Sequence, residues 1–361
     1  MKFDVIIGNP PYQVNDDGVN ESGVTRSSSK PIYPEFVEIA KKLDPEVIDL
    51  IIPARWISRA GKGLDEFTDG MLNDPTMSRF AYFADSKMVF SGAADIDGGV
   101  AYFVRDKKHN GQTNVSTRMV DGEFKSQRFL NSAEAGIFIP YAEAASILAK
   151  VKSLEDDIPM KFKDIVSARK PYGLTSDYLK SPKKFGLPAA SETRQNENDI
   201  KLFGFTNKPV ENFVPAGFPF PKENDSLGKY KVFISKSLGR SNLGAVKEAQ
   251  ILAKSFVGKP NEAVTETYLE VGPFASKQEA EAVDKYLHTR FVRLLVGILK
   301  NTQNAAKDVY SFVPLFDFQT NSAINWEGSV EEIDQQLFTL YGLSEEEVAF
   351  IEGHVKSLPI E

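Results

Sequence analysis

The chain has 361 residues, 42% of them hydrophobic and 26% charged, and it contains no cysteine. This length allows about two domains, each able to bury its own core. The composition excludes disulfides, thiol nucleophiles and cysteine metal sites, and no run of about 18 apolar residues offers a membrane-spanning helix. The N-terminus does not read as a signal peptide, so a cytoplasmic chain without a membrane partner is expected. His109, His288 and His354 lie far apart, with no HExxH pattern; each reads as a surface or capping residue, and no metal site is expected. The formal net charge of −7 is unevenly spread: residues 161–310 carry +8 and residues 311–361 carry −9. A basic middle between acidic ends can seat a phosphate backbone locally, although surplus surface lysines give the same count.

The first element is Val5-Ile6-Ile7, an apolar run expected of a strand buried on both faces of a parallel sheet. Pro10 and Pro11 forbid its extension, since neither has an N–H for a ladder. The chain therefore leaves the sheet at the strand's C-terminal end, where open α/β sheets bind ligands. Asn9-Pro10-Pro11-Tyr12 places there an amide side chain, rigid carbonyls and an aromatic ring. This set suits work on a planar amine such as adenine N6, whose lone pair is delocalised. Acceptors at the Asn9 side-chain oxygen and the Pro10 carbonyl would draw the nitrogen towards a tetrahedral, nucleophilic form, mainly by positioning and electrostatics. Tyr12 would stack on the base for about 1–3 kcal/mol. The bland alternative is a stiff turn after a strand.

Residues 13–32 are polar, with Gly18, Gly23 and Ser27-Ser28-Ser29, and read as a mobile loop, either a lid or a surface excursion. Tyr33, Phe36, Val37, Ala40 and Leu43 recur at helical spacing and predict one buried stripe. Val47 to Ile52 predicts the next strand, which completes a βαβ unit with a parallel neighbour. Pro53-Ala54-Arg55-Trp56-Ile57 then lies on the ligand side. Gly61-Lys62-Gly63 lacks the spacing of a phosphate loop and reads as a turn before a helix carrying Leu64, Phe67, Met71 and Leu72. Strands are expected over 77–83, 98–104, 114–120 and 136–139, and a helix over 142–154. Phe90 lies before the second of these strands.

Beyond residue 160 the chain becomes richer in Lys, Gly and Pro, with short strands such as Lys231–Ile234. Ser276-Lys277-Gln278-Glu279 is a capping box predicted to open one helix running through Lys300. Ala280, Val283, Leu287, Leu294 and Ile298 form its apolar side, with Arg290, Arg293 and Lys300 on another face. Its length of about 36 Å matches about one turn of duplex DNA; a scaffold helix with solvated arginines is the alternative. The amides of Asn301-Thr302-Gln303-Asn304 suit adenine edges or a helix C-cap. Ser329-Val330-Glu331-Glu332 and Ser344-Glu345-Glu346-Glu347 are two more capping boxes. They open an acidic helical hairpin around Leu337, Leu340, Tyr341, Leu343, Phe350 and Ile351.

Asp4-Val5-Ile6-Ile7-Gly8-Asn9-Pro10-Pro11-Tyr12 resembles the catalytic motif of amino-group methyltransferases that use S-adenosylmethionine. It is most similar to the adenine-N6 DNA methyltransferases of restriction–modification systems, in their Eco57I-like branch. The resemblance implies that Asn9, Pro10, Pro11 and Tyr12 are catalytic and that Phe90, at the family's V-F position, helps to stack an extruded base. Residues 33–57 and 96–104 resemble later methyltransferase motifs. Residues 161–320, including Arg169–Leu174 and Asn301–Pro314, resemble the target-recognition domain, and Leu340–Glu347 resembles that group's ending.

The implied fold is α/β: a partial Rossmann-like methyltransferase sheet over 1–160, an α+β target-recognition domain over 161–320, and a C-terminal helical hairpin over 321–361. The implied partner is double-stranded DNA, contacted through Arg169, Lys170, Lys236, Arg240, Arg290, Arg293, Lys300 and Gln303. Where this family puts the recognition domain last, the S-adenosylmethionine motif precedes NPPY. Here eight residues precede Asn9, and no such motif follows. The expectation is a C-terminal portion that lacks three strands and most of the cofactor pocket. It would need the N-terminal half or a partner subunit, and would neither bind the cofactor tightly nor methylate alone. A DNA-specificity module, or methylation of an RNA base or a protein glutamine, are the alternative functions.

Overall fold

In the computed structural model the described residues are 3–16, 28–59, 63–90, 96–155, 160–239, 242–319 and 323–360. They divide into two compact units, Met1–Ser146 and Ile147–Glu361. Arg240, Gly61, Lys62, Gly18, Gly23 and Ser27 lie outside the described residues.

The first unit is built on β1 (Val5–Gly8), β2 (Gln13–Asp16), β3 (Ser28–Pro31), α1 (Tyr33–Lys42), β4 (Val47–Pro53), α2 (Asp65–Leu72), β5 (Met77–Phe83), β6 (Val100–Asp106), β7 (Thr113–Met119) and β8 (Gly122–Arg128). Six strands form one mixed sheet in the order β1-β4-β6-β5-β7-β8. β1 and β4 are parallel, with Val5 opposite Val47 and Gly8 opposite Leu50, as the βαβ reading requires. β6 is antiparallel to both β4 and β5, while β5 and β7 are parallel. The C-terminal ends of β1, β4, β5 and β7 therefore share one edge. The segment over 13–32, predicted as a loop, carries a two-stranded antiparallel ribbon at its ends, with Gln13 opposite Pro31. Residues 136–139 are not a strand; β8 is, because it closes a tight hairpin with β7 across Val120-Asp121.

The core lies on one face of this sheet. Ile48, Leu50 and Ile52 of β4, Ala101 and Phe103 of β6, and Phe80 of β5 pack against Tyr33, Val37 and Ala40 of α1 and Leu64, Phe67, Met71 and Leu72 of α2. A run of edge-on rings, Tyr33–Phe67–Trp56–Phe80–Phe138, stiffens it at centroid spacings of 4.8 to 5.8 Å. β1 departs from expectation. Only Ile6 packs on this core, while Val5 and Ile7 are 56% and 77% exposed. Among the described residues β1 pairs with β4 alone, so it is an edge strand with one covered face, and its apolar run divides by the two-residue period. Phe36 and Leu43 also remain exposed, and the α1 stripe narrows to Tyr33, Val37 and Ala40.

α3 (Ala142–Glu155) carries the division between the units. The second unit contains β9 (Ile200–Phe205), β10 (Pro209–Val214), β11 (Tyr230–Ser235), β12 (Ser255–Gly258), β13 (Glu262–Val264), β14 (Tyr268–Phe274), α4 (Lys277–His288), α5 (Arg290–Leu299), α6 (Val330–Leu340) and α7 (Glu345–His354). Its strands form two three-stranded sheets, β10-β9-β13 and β12-β11-β14. The segments over 161–320 and 321–361 fall within this one unit.

The single helix predicted from 276 to 300 is two helices. Thr289 breaks it with an extended backbone (φ −62°, ψ 146°). The Thr289 hydroxyl accepts from the Val292 N–H and donates to the Tyr286 carbonyl. The Asp334 carboxylate accepts from the Arg290 and Phe291 N–H groups at 2.9 and 3.0 Å. These contacts satisfy donors that a helix start would otherwise leave unpaired. His288, expected as a surface or capping residue, is buried in the last turn of α4, and its Nδ1 meets the Asp284 carbonyl at 2.8 Å. Both C-terminal capping boxes form. Lys150 Nζ ties the turn between α6 and α7 through the Gly342 carbonyl and Glu347, each at 2.7 Å.

Candidate active site

The NPPY turn leaves β1 at the sheet edge shared with the ends of β4, β5 and β7. It is fixed on both sides. Upstream, the Asp4 carbonyl accepts from the Glu46 and Val47 N–H groups at 2.9 and 3.1 Å, which sets the register of β1 on β4. Downstream, the Tyr12 carbonyl accepts from the Ile32 N–H at 3.1 Å, anchoring the turn at the foot of α1. Between these anchors Asn9 is exposed and Pro10 half-buried. Pro10 and Pro11 have no N–H and so cannot donate to a ladder.

Tyr12 is half-buried, and its hydroxyl is enclosed with no partner in hydrogen-bond geometry. Burial raises its pKa, while the Asn9 side chain lies close enough to oppose that shift. The Asn9 side chain therefore lies near the Tyr12 hydroxyl. The Tyr33 hydroxyl is likewise buried without a partner; burial raises its pKa, and the nearby Arg55 guanidinium opposes the shift.

β4 ends in a short 3-10 turn, Arg55–Ser58, that points Trp56 and Ile57 into the core and leaves Arg55 near the edge. The Ala54 N–H donates to the Gly99 carbonyl at 3.0 Å, locking the exit of β4 to the entry of β6. Gly98 and Gly99 have φ of +85° and +77°. A Cβ on Gly99 would lie 2.1 Å from the Phe83 carbonyl, and one on Gly98 would press on the Arg55 side chain at 3.0 Å. Glycine is therefore required there both for conformation and for space. Arg55 reaches Asp97 only at 3.9 Å, which leaves its guanidinium available at the edge. Residue type alone gave no reason to single out Arg55.

Phe90 follows the 3-10 turn after β5 and is half-buried, its N–H donating to the Ser86 carbonyl at 2.9 Å. β5 stands three strands from β1, about 14 Å at ordinary strand spacing. Among the described residues no group of three or more His, Asp or Glu side chains is arranged to hold a metal ion. S-adenosylmethionine needs partners for its ribose and a dipolar cradle for its carboxylate. The turns after β1, β4 and β5 are Asn-Pro-Pro-Tyr, Ala-Arg-Trp and Ala-Asp-Ser, and none is a glycine-rich turn opening a helix.

In the second unit the structure separates the predicted DNA contacts. Arg169, Lys170 and Lys236 converge. Arg169 Nε and Nη2 reach Glu266 at 2.8 and 2.7 Å, Lys170 Nζ lies 4.0 Å from the same oxygen, and the Lys236 N–H donates to the Thr267 carbonyl. Gln303, exposed, belongs to the same neighbourhood through its carbonyl, which holds the Leu238 N–H at 3.0 Å.

Arg293 and Lys300 do not join them. Arg293 is 0% exposed, donating to the Thr289, Gln250 and Lys356 carbonyls. Lys300 is 3% exposed, donating to Asn242 Oδ1 at 2.6 Å. Their expected contact with DNA is corrected: α5 is buried all round from Phe291 to Gly297, so no face of it is left for a duplex. Burial lowers the pKa of Arg293 and Lys300, to about 10 and about 8. Arg290, half-buried, spends its Nε on the Val355 carbonyl. Glu266 went unnoticed in the sequence, because a lone acid in a basic segment carries no signal of its own.

Residues 1–90 match the family model of the Eco57I restriction-modification methylases. An uncharacterized adenine-specific methylase of Mycoplasma pneumoniae (strain ATCC 29342 / M129) is 32% identical over 168 residues, which cover 46% of this chain and 38% of that relative. Among solved structures, the type IIL restriction-modification enzyme MmeI, determined in complex with DNA, aligns with 96% of this chain and 56% of its own, at 9% identity and a TM-score of 0.47. The type IIG restriction endonuclease BpuSI aligns with 94% and 49%, at 14% identity and a TM-score of 0.36. The chain thus spans well under half of the curated relative it matches. The segment that carries Asn9, Pro10, Pro11 and Tyr12 is similar to the Eco57I restriction-modification methylases.

Proposed function

We propose that this chain is the catalytic and target-recognition part of a site-specific DNA methyltransferase of a restriction–modification system, acting on adenine N6. The observation that carries this reading is the exposed Asn9, with the half-buried Tyr12 on the same turn, anchored at both ends at the C-terminal edge of the sheet. The target base is extruded from the duplex at a cost of a few kcal/mol. Tyr12 and Phe90 stack on it, and the Asn9 side-chain oxygen and Pro10 carbonyl accept the two amine hydrogens. Held so, the nitrogen lone pair localises and points at the methyl donor. S-adenosylmethionine supplies the methyl group. This chain's residues orient the amine and take up the charge that develops on it.

Residues 161–320 carry the recognition of duplex DNA through Arg169, Lys170, Lys236 and Gln303, with residues 321–361 packed on them. The cofactor pocket comes from another part of the protein or from a partner subunit. The outer edge of β1, unpaired among the described residues, supports this arrangement, since such an edge is a template for a further strand.

The experiment is transfer of a labelled methyl group from S-adenosylmethionine to duplex DNA, to RNA and to protein, with the chain alone and with the complete enzyme. The expected product is N6-methyladenine in DNA, formed by the complete enzyme only. Label in RNA or protein alone overturns the substrate. Calorimetry showing micromolar binding of S-adenosylmethionine to this chain overturns the division of labour. A complete enzyme that binds DNA and transfers no methyl group leaves the chain a specificity module.

A further inference from the structure

The cationic cluster of the second unit is organised around one buried acid. Glu266 is 6% exposed, between β13 and β14. One carboxylate oxygen accepts from the Ser176 N–H at 3.0 Å and from its hydroxyl at 3.3 Å. The other accepts from Arg169 Nε at 2.8 Å and lies 2.7 Å from Nη2 in an ion pair, so one oxygen faces the Nε–Nη2 edge of the guanidinium. Burial disfavours the Glu266 charge, yet the Ser176 N–H and the charges of Arg169 and Lys170 outweigh it and hold the carboxyl below its ordinary range. Arg169, held by one edge, is still 65% exposed.

Lys170 has a left-handed backbone (φ +61°), a conformation uncommon outside glycine, and it brings its ammonium back to the same acid. The Lys236 ammonium is disfavoured first by burial and then by Arg169 and Lys170. Two cations, Arg169 and Lys170, thus face one carboxylate, with the Lys236 ammonium close enough to feel all three charges, an excess of positive charge.

We propose that this cluster is a phosphodiester clamp and that Glu266 is its positioning residue. Glu266 occupies one edge of the Arg169 guanidinium so that the remaining N–H donors, with Lys170 and Lys236, meet the backbone phosphate of a bound duplex. The proposal rests on the DNA-binding reading above and adds to it a specific role for an acid. It makes a prediction opposite to that of net charge alone. Removing a negative charge beside a DNA site should tighten binding if the cluster acts only by its field. Removing Glu266 should weaken binding if it aims Arg169.

The experiment is fluorescence anisotropy of the full chain with a labelled DNA duplex across a potassium chloride series, with thermal melts to verify folding. For R169A the expected result is about tenfold weaker binding, with the slope of log K against log salt shallower by about 0.9, one phosphate contact. E266Q should show the same two changes, and E266Q/R169A should lose no more than R169A alone. R169K keeps the charge but loses the fork, and because Arg169 is exposed this variant serves should E266Q fail to fold. It should also bind about tenfold more weakly. Wild-type binding with E266Q equal or tighter, or with R169K at wild-type affinity, overturns the clamp and leaves the DNA reading intact. No salt-dependent binding by the wild type overturns both.

Discussion

β1 in the first unit and α5 in the second are inversions of each other. β1 is apolar in sequence, yet Val5 and Ile7 stand in the open; α5 carries Arg293 and its C-cap Lys300, yet both are enclosed. Residue type sets a preference for water or interior, but the neighbours decide which is available. β1 has a helix layer over one face and a strand on one side only. α5 is surrounded, and its cations survive there because carbonyls of Thr289, Gln250 and Lys356 and the Asn242 amide oxygen receive them. A buried cation with its donors largely satisfied is a structural strut, whereas an exposed strand edge beside the Asn9–Tyr12 turn is a place for something to join.

The largest test of this contrast concerns the turn that β1 carries. In the complete enzyme, Asn9→Ala should lower kcat about 1,000-fold, or about 4 kcal/mol, with duplex affinity changed less than about threefold. Equal losses in both would remove Asn9 from the chemistry. Next comes the strut. Arg293→Ala empties a buried site and takes from the Lys356 carbonyl its donor, while the Thr289 and Gln250 carbonyls keep the Arg293 and Leu252 N–H groups; it should destabilise the second unit by about 3 kcal/mol in urea denaturation, with DNA affinity of the folded protein unchanged. Reduced DNA affinity at unchanged stability would return Arg293 to the DNA interface.

A smaller effect should appear in the pH dependence of stability. Burial raises the Asp334 pKa to about 6, against the opposing pull of the Phe291 and Arg290 N–H groups and of Arg293. The folded state then binds this proton more tightly than the unfolded chain does. The resulting stability is full below the unfolded carboxylate pKa and is lost as pH rises through about 6. Between pH 4 and 6 the wild type should lose about 2 kcal/mol from this group, and Asp334→Asn should flatten that slope. An unchanged slope in the variant would assign the dependence elsewhere. The smallest effect is expected at the exposed edge: Ile7→Thr should change the stability of this chain by no more than about 0.5 kcal/mol, and a loss of 2 kcal/mol would mean that the edge is covered in solution.

The local rules read from sequence were those whose causes are local. Ser329 and Ser344 cap their helices because each hydroxyl and the Glu three residues on satisfy each other's neighbouring N–H groups. The end of β1 at Asn9 was legible because neither proline has an N–H with which to extend a ladder. Leu64, Phe67, Met71 and Leu72 are buried together because their spacing puts them on one side of α2. The break at Thr289 was hidden, since an uninterrupted helical pattern runs through it and the acid that receives the new N-terminus, Asp334, comes from another helix. Glu266 was hidden for the same reason: its partners Arg169 and Ser176 are nearly a hundred residues away.

By itself, then, the sequence determined that an amide and an aromatic ring share a proline-stiffened turn, and the periodicities that make its helices and strands. Only the tertiary structure decided which charges face solvent, which are absorbed as struts, and which edge of the sheet stays open. Those outcomes depend on desolvation and on hydrogen-bond partners brought together from distant segments, and no local pattern encodes them.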